Sequence, residues 1–143
     1  MNILIAVDFS EVSRKALDVV RTLPRAENAK VFVIHVAEPD PEFVGWDTGP
    51  EVVREQVAAE FHRERQQVEA MADDLRKSGI EAAGLVVQGP TVATILDEVQ
   101  RRDAGLLVVG SHGHGAAYDL TVGSISTGVI RKSVVPVLVV PNR

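Results

Sequence analysis

The residues with the clearest chemical potential are glycines and hydroxyl side chains in the last quarter of the chain. Glycine supplies 11 of the 143 residues, and five of them are Gly110, Gly113, Gly115, Gly123 and Gly128. Glycines that follow a buried strand let the backbone adopt positive φ and approach a ligand closely, which exposes N–H groups to an anion. Residues 123–127, Gly-Ser-Ile-Ser-Thr, open a predicted helix whose first-turn amides, dipole and hydroxyl groups also attract anions. The segment therefore favours a phosphate-binding site.

Four other interpretations of this segment have to be considered beside a phosphate-binding site: a P-loop, a dinucleotide-binding turn, a helix cap without a ligand, and a metal site. No Gly-Lys-Ser/Thr occurs, so it is not a P-loop, and the turn Asp8-Phe9-Ser10 after the first predicted strand lacks the dinucleotide-binding glycines. Tight-turn geometry with Ser124 as an ordinary helix N-cap explains the same residues without a ligand. His112 and His114 have no neighbouring thiolate and no established carboxylate partner, so we predict no metal site there.

Strands and helices that would position these residues are predicted from two hydrophobic patterns that alternate along the chain. Five short runs rich in Val, Ile and Leu are typical of strands covered on both faces, at residues 3–7, 31–36, 85–87, 106–109 and 137–140. Apolar residues at helical spacing predict four helices: one that Ser10 can cap, one from about Glu51, one after Pro90 and one that begins near Ser124. This alternation with right-handed crossovers predicts a Rossmann-like, doubly wound α/β fold, a three-layer sandwich of four helices around a five-stranded parallel sheet.

Two segments stand out against this regular pattern. The second helix, from about Glu51 to Lys77, would be about 40 Å long, more than a small sheet needs, so we expect a break or an overhang. Residues 37–50 are rich in proline and glycine and predict a long irregular loop whose role the sequence leaves open. His35 is predicted to be a buried or half-buried strand residue with one satisfied nitrogen.

Composition limits the class of protein. A chain of 143 residues fits a single domain, residues 1–143. The lack of cysteine excludes a disulfide scaffold and fits a reducing compartment, and no stretch approaches the ~18 apolar residues of a membrane span, so we expect a cytoplasmic protein without a membrane partner. Residues 1–8 read as a strand rather than a secretory signal. A net charge of −5 without a basic block argues against a nucleic-acid partner.

The glycine spacing resembles that of the universal stress protein family. Its nucleotide-binding members carry Gly, two residues, Gly, nine residues and then Gly-Ser/Thr after the fourth strand. In this sequence two residues separate Gly110 from Gly113, and the nine residues 114–122 separate Gly113 from Gly123-Ser124. The likeness extends over the whole chain, from the acidic end of the first strand, Ile3 to Asp8, to the last apolar strand.

The resemblance implies a sheet order of 3-2-1-4-5, a role in stress response or signalling, and a site for ATP, or for ADP or AMP, with magnesium or manganese. Asp8 would meet the ribose or adenine, Val36 would line the adenine, and Gly123, Ser124 and Ser126 would hold the phosphates. The complete predicted site is Ala6, Val7, Asp8, Val36, Val109, Gly110, His112, Gly113, Gly123, Ser124, Ile125 and Ser126. The family also forms homodimers through its last strand, here Val137 to Val140.

This sequence departs from the family pattern at one place. Residues 114–122 contain no Lys or Arg, whereas many relatives have basic residues there, so we predict that ADP or AMP binds nearly as well as ATP. No catalytic base is evident and we predict no catalytic residue, so an enzyme would be at most a slow ATPase or an autokinase. A phosphotransfer receiver is set aside because Gln88 stands where it needs an acceptor aspartate.

Overall fold

Strands and helices alternate along the chain in a computed structural model that describes residues 1–24, 28–37, 50–112 and 123–142. The strands are β1 Asn2–Ala6, β2 Val31–Ala37, β3 Ala82–Gln88, β4 Ala104–Gly110 and β5 Val137–Val140. The helices are α1 Glu11–Thr22, α2 Pro50–Lys77, α3 Thr91–Arg101 and α4 Ser124–Lys132. Of the irregular segment predicted at residues 37–50, residues 38–49 lie outside the described ranges.

The strands form one parallel sheet in the order β3-β2-β1-β4-β5. Ile3 of the central strand β1 pairs with Val31 of β2 on one side and with Leu106 of β4 on the other. The chain winds outward from β1 through β2 and β3, then crosses back to β4 and β5. The predicted fold class and sheet order are confirmed, and the winding reverses between β1 and β4.

Each face of the sheet carries its own hydrophobic core. Successive residues of β1 point to opposite faces, so that Ile3 and Ile5 join the core under α1 and α2 while Leu4 joins the core under α3 and α4. All three side chains are almost completely buried. Strands buried on both faces explain why the apolar runs of the sequence are nearly continuous.

Helix α2 packs on the sheet with only part of its length. Val68, Ala72 and Leu75 in its C-terminal half are buried, whereas residues 55–60 are exposed. The helix is continuous over 28 residues, so the expected departure from regularity is an overhang and not a break. The helix comes close to β3 at Gly84, where a Cβ atom would lie 2.8 Å from Val68 Cγ1. None of the helices in the described ranges combines the length and apolarity of a bilayer-spanning segment.

Candidate functional site

A cleft of about 600 Å³ lies beyond the carboxyl ends of β1, β2 and β4, where the winding of the sheet reverses. Ligand sites of open parallel sheets occur at this position, and the volume is within the usual range for a small-molecule site. The predicted site residues that line it are Ala6, Val7, Asp8, Val36, Val109, Gly110, His112, Gly123, Ser124, Ile125 and Ser126. The twelfth, Gly113, lies outside the described residues.

The turn after β1 holds Asp8 in a hydrogen-bonded arrangement. Asp8 Oδ1 accepts a hydrogen bond from the Ser10 amide at 3.0 Å and another from Ser13 Oγ at 3.0 Å. The amide of Asp8 in turn donates to Ser13 Oγ at 3.1 Å. Ser10 is the N-cap of α1, as predicted, but its hydroxyl makes no capping hydrogen bond. The carboxylate of Asp8 therefore helps to start α1, whether or not it also contacts a ligand.

An imidazole and an aromatic ring support this turn from the side of β2. His35 Nδ1 donates to the carbonyl of Val7 at 2.9 Å, because a carbonyl can only accept, and this confirms the predicted satisfied nitrogen. The other ring nitrogen of His35, Nε2, lies 3.7 Å from Glu64 Oε1 of α2. The ring of Phe9, a residue with φ of 65°, lies 4.4 Å from the His35 ring. These contacts hold a backbone conformation that costs a non-glycine residue about 1 kcal/mol.

The end of β4 and the start of α4 are tied together by hydrogen bonds. Ser126 Oγ donates to the carbonyl of Gly110, and the Gly123 amide donates to the carbonyl of Ser111 at 2.7 Å. Gly123 is the N-cap of α4 and has no side chain to cap the helix. The alternative with Ser124 as N-cap is wrong, because Ser124 is the first helical residue. The first three helical residues, Ser124, Ile125 and Ser126, line the cleft, and the amides of a first helical turn have no partner within their own helix.

The glycines of this region have a different role from the predicted one. Gly79 and Gly89 are the glycines with positive φ in the described ranges, so the positive φ expected for a glycine directly after a buried strand is wrong at Gly110. A Cβ on Gly110 would lie 2.5 Å from Val12 Cγ1 of α1. Glycine is needed there because another element approaches closely, and not because of a left-handed backbone.

The cleft is not basic. Its charged or titratable side chains among the described lining residues are Asp8, Glu64, His35 and His112, with no lysine or arginine. Nδ1 of His112 is buried and has no hydrogen-bond partner within the described structure. No group of three or more potential metal ligands occurs in the part of the chain that is described. An anion in this cleft would therefore be held by amides, hydroxyl groups and helix dipoles.

Eight lining residues were not predicted as site residues, and the polar ones among them are Ser13, His35, Glu64 and Thr91. Ser13 had a visible signal in the sequence, since it is a polar residue beside Val12 in the apolar stripe of α1. In the structure it is 3% exposed. Glu64 lies in a charged stretch of α2 in which no residue is distinguished by its type. Only the packing of α2 on the sheet brings its carboxylate to the cleft.

The fold defines a doubly wound α/β protein with a cleft at its switch point, the position at which proteins of this class bind ligands. The model of the universal stress protein family matches residues 1–141, so the chain belongs to this family. A relative from Thermus aquaticus, named universal stress protein in QAH/OAS sulfhydrylase 3′ region, is 31% identical over 139 residues, which cover 96% of each chain. The resemblance seen in the sequence is confirmed.

Solved structures share the fold over nearly the whole chain. Protein MJ0577 of Methanocaldococcus jannaschii superposes with a TM-score of 0.87 and 25% identity, covering 99% of this chain and 96% of its own. A universal stress protein from Archaeoglobus fulgidus in complex with dAMP has a TM-score of 0.66 and 20% identity, covering 98% and 97%. Another universal stress protein, in complex with cAMP, has a TM-score of 0.67 and 21% identity, covering 100% and 98%.

Proposed function

We propose that the protein binds an adenine nucleotide in the cleft beyond β1 and β4 and acts as a stress-response or signalling module. The observation that carries the proposal is the cleft itself, which has the volume of a nucleotide site and opens onto the first turn of α4. Two proteins of the same fold bind dAMP and cAMP, both adenine nucleotides. Family membership supports the same ligand class.

The cleft divides into two ends with different chemistry. Asp8, which follows β1, is proposed to contact the ribose or the adenine, and Val36, near the end of β2, is proposed to line the adenine. Gly123, Ser124 and Ser126 at the start of α4 are proposed to hold the phosphates, because first-turn amides and the helix dipole favour anions. The Gly123 amide already donates to the Ser111 carbonyl, so the donors would be the amides of Ser124 and Ser126. Main-chain contacts from Gly110, His112 and Gly113 complete the proposed site.

The length of the phosphate chain is expected to matter little. No lysine or arginine lies among the described residues of the cleft, and the sequence has none at 114–122. A second or third phosphate would therefore meet no positively charged side chain among these residues. We propose that AMP and ADP bind nearly as well as ATP, with Mg²⁺ or Mn²⁺ entering on the phosphates. A calorimetric preference for ATP over ADP far above about a hundredfold, close to 3 kcal/mol, would contradict this.

The exposed edge of β5 supports a second part of the proposal, a homodimer through Val137–Val140. Three of its four residues are only partly buried, and nearby Ile130 and Val134 are 47% and 78% exposed. Unpaired edge strands are usually covered or paired. Light scattering at micromolar concentration should give the mass of two chains, and a monomer would contradict the dimer.

We place the protein in the cytoplasm, since a chain without cysteine suits a reducing compartment.

The ligand is identified by mass spectrometry on protein purified without added nucleotide. We expect a copurified adenine compound, released on denaturation and absent from the denatured protein after desalting. Calorimetry with AMP, ADP and ATP, and with GMP as the control for the base, then gives the affinities. Protein that carries no adenine compound and gives no binding signal with any adenine nucleotide would refute the proposed function.

A further inference from the structure

Ser13 lies in the first turn of α1, lines the cleft and is 3% exposed. Its hydroxyl group makes two hydrogen bonds to the same residue. Ser13 Oγ donates to Asp8 Oδ1 at 3.0 Å and accepts from the Asp8 amide at 3.1 Å. One buried hydroxyl group thus joins the backbone and the carboxylate of Asp8.

This arrangement fixes the side-chain torsions of Asp8. An aspartate side chain has two rotatable bonds, and anchoring one oxygen to α1 restricts both of them. The Ser10 amide donates to the same oxygen at 3.0 Å, so the carboxylate is held from two directions. A group that is ordered before the ligand arrives loses less conformational entropy on binding.

We infer that Ser13 is a positioning residue for nucleotide binding, which orients the Asp8 carboxylate toward the ribose or adenine. The inference rests on the proposed function, because it assigns Ser13 a part in that same site. Ser13 acts through Asp8, so its hydroxyl group affects affinity without needing a contact of its own with the nucleotide.

The test compares Ser13→Ala with Ser10→Ala as a matched control. Ser10 is the same residue type, lies three positions earlier, is 8% exposed and does not line the cleft. Its hydroxyl group has no hydrogen-bond partner within the described structure, and its amide remains in the variant. We expect Ser13→Ala to weaken AMP binding about fivefold to tenfold in calorimetry, the effect of one lost hydrogen bond, and Ser10→Ala to change it less than about twofold.

A double-mutant cycle with Asp8→Ala separates positioning from direct contact. If Ser13 acts through Asp8, adding Ser13→Ala to Asp8→Ala leaves the AMP affinity of the single Asp8 variant unchanged within about twofold. An equal loss in both backgrounds would show that Ser13 contacts the ligand or acts through the fold, and would overturn the inference. Thermal melts of every variant show whether the loss follows stability.

The outcomes distinguish this inference from the proposed function. Wild-type protein that binds AMP, together with a Ser13→Ala variant of wild-type affinity, overturns the inference alone. Wild-type protein that does not bind AMP overturns the proposed function. If Ser13→Ala does not fold, Ser13→Cys takes its place, because the thiol keeps the volume but donates weakly. We then expect about a threefold loss, again only when Asp8 is present.

Discussion

Replacing Gly123 with aspartate should separate phosphate binding from folding. Gly123 is the N-cap of α4, with φ −61° and ψ 164°, a conformation open to every residue. Aspartate is a good N-cap residue, and its charge is favourable at the positive end of the helix dipole. A Cβ would lie 3.2 Å from the carbonyl oxygen of Ser111, which must give slightly. We therefore expect a stability within about 1 kcal/mol of the wild type.

The same carboxylate should repel a bound phosphate. At about 5 Å, two unit charges interact by about 3 kcal/mol at an effective dielectric constant of about 20 and by about 1 kcal/mol in bulk water. The cleft is open to solvent, so we take about 2 kcal/mol, which is about a thirtyfold increase in the Kd for AMP. The repulsion requires a phosphate at the start of α4, so adenosine should lose less than about threefold.

The assay is calorimetry with AMP and adenosine, and the matched control is Gly123→Asn. Asparagine has the same shape and is also a good N-cap, but it carries no charge. The difference between the two variants therefore reports charge alone, and it should shrink as salt is raised because the site is partly screened. Equal AMP affinities for the two variants, or equal losses of AMP and adenosine in Gly123→Asp, would refute the placement of the phosphate at α4.

Two further predictions concern buried contacts of the fold outside the cleft, each measured by urea unfolding. Gly84→Ala should lower the free energy of unfolding by about 1–3 kcal/mol, because its Cβ would lie 2.8 Å from Val68 Cγ1 and 3.0 Å from the Val68 carbonyl oxygen; unchanged stability would contradict the close packing of α2. Glu98→Ala should lower the free energy of unfolding by about 1–3 kcal/mol, since Glu98 is 2% exposed and its carboxylate accepts a hydrogen bond from Arg102 Nε at 3.0 Å. An unchanged free energy of unfolding would show that the ion pair contributes nothing.

The sheet was predictable because burial on both faces leaves a continuous apolar run. Residues 3–7 and 31–36 correspond closely to β1 and β2 for this reason. The third strand was predicted at 85–87 but spans Ala82–Gln88. Its first residues are alanine and glycine, which carry little strand propensity of their own. Their conformation is set by pairing with β2, where Ala82 lies opposite Val31, and pairing across the sheet is not visible in a local pattern.

The lining of the cleft was predictable where its residues follow directly from strand ends. Asp8 and Gly110 are 102 positions apart in the sequence, yet β1 and β4 are neighbours in the sheet, so motif spacing and topology together bring them to one cleft. The helix contributions were not predictable in the same way. Which residue of α2 reaches the cleft depends on how far the helix overhangs the sheet, and neighbouring charged residues such as Arg63, Glu64 and Arg65 differ little in local signal.

The close approach at Gly110 bears on how an acidic cleft would accept an anion. With no side chain at Gly110, Val12 packs directly against the end of β4, so the start of α1 and the start of α4 border the same cleft. Each helix start carries about half a positive charge. The Asp8 carboxylate is hydrogen-bonded at the start of α1, which leaves the start of α4, capped by Gly123 without a side chain, as the helix end that we propose to face the phosphate. In the proposed complex one helix end would compensate the acid of the site and the other would bind a phosphate, an arrangement that would suit a short nucleotide better than a long polyphosphate.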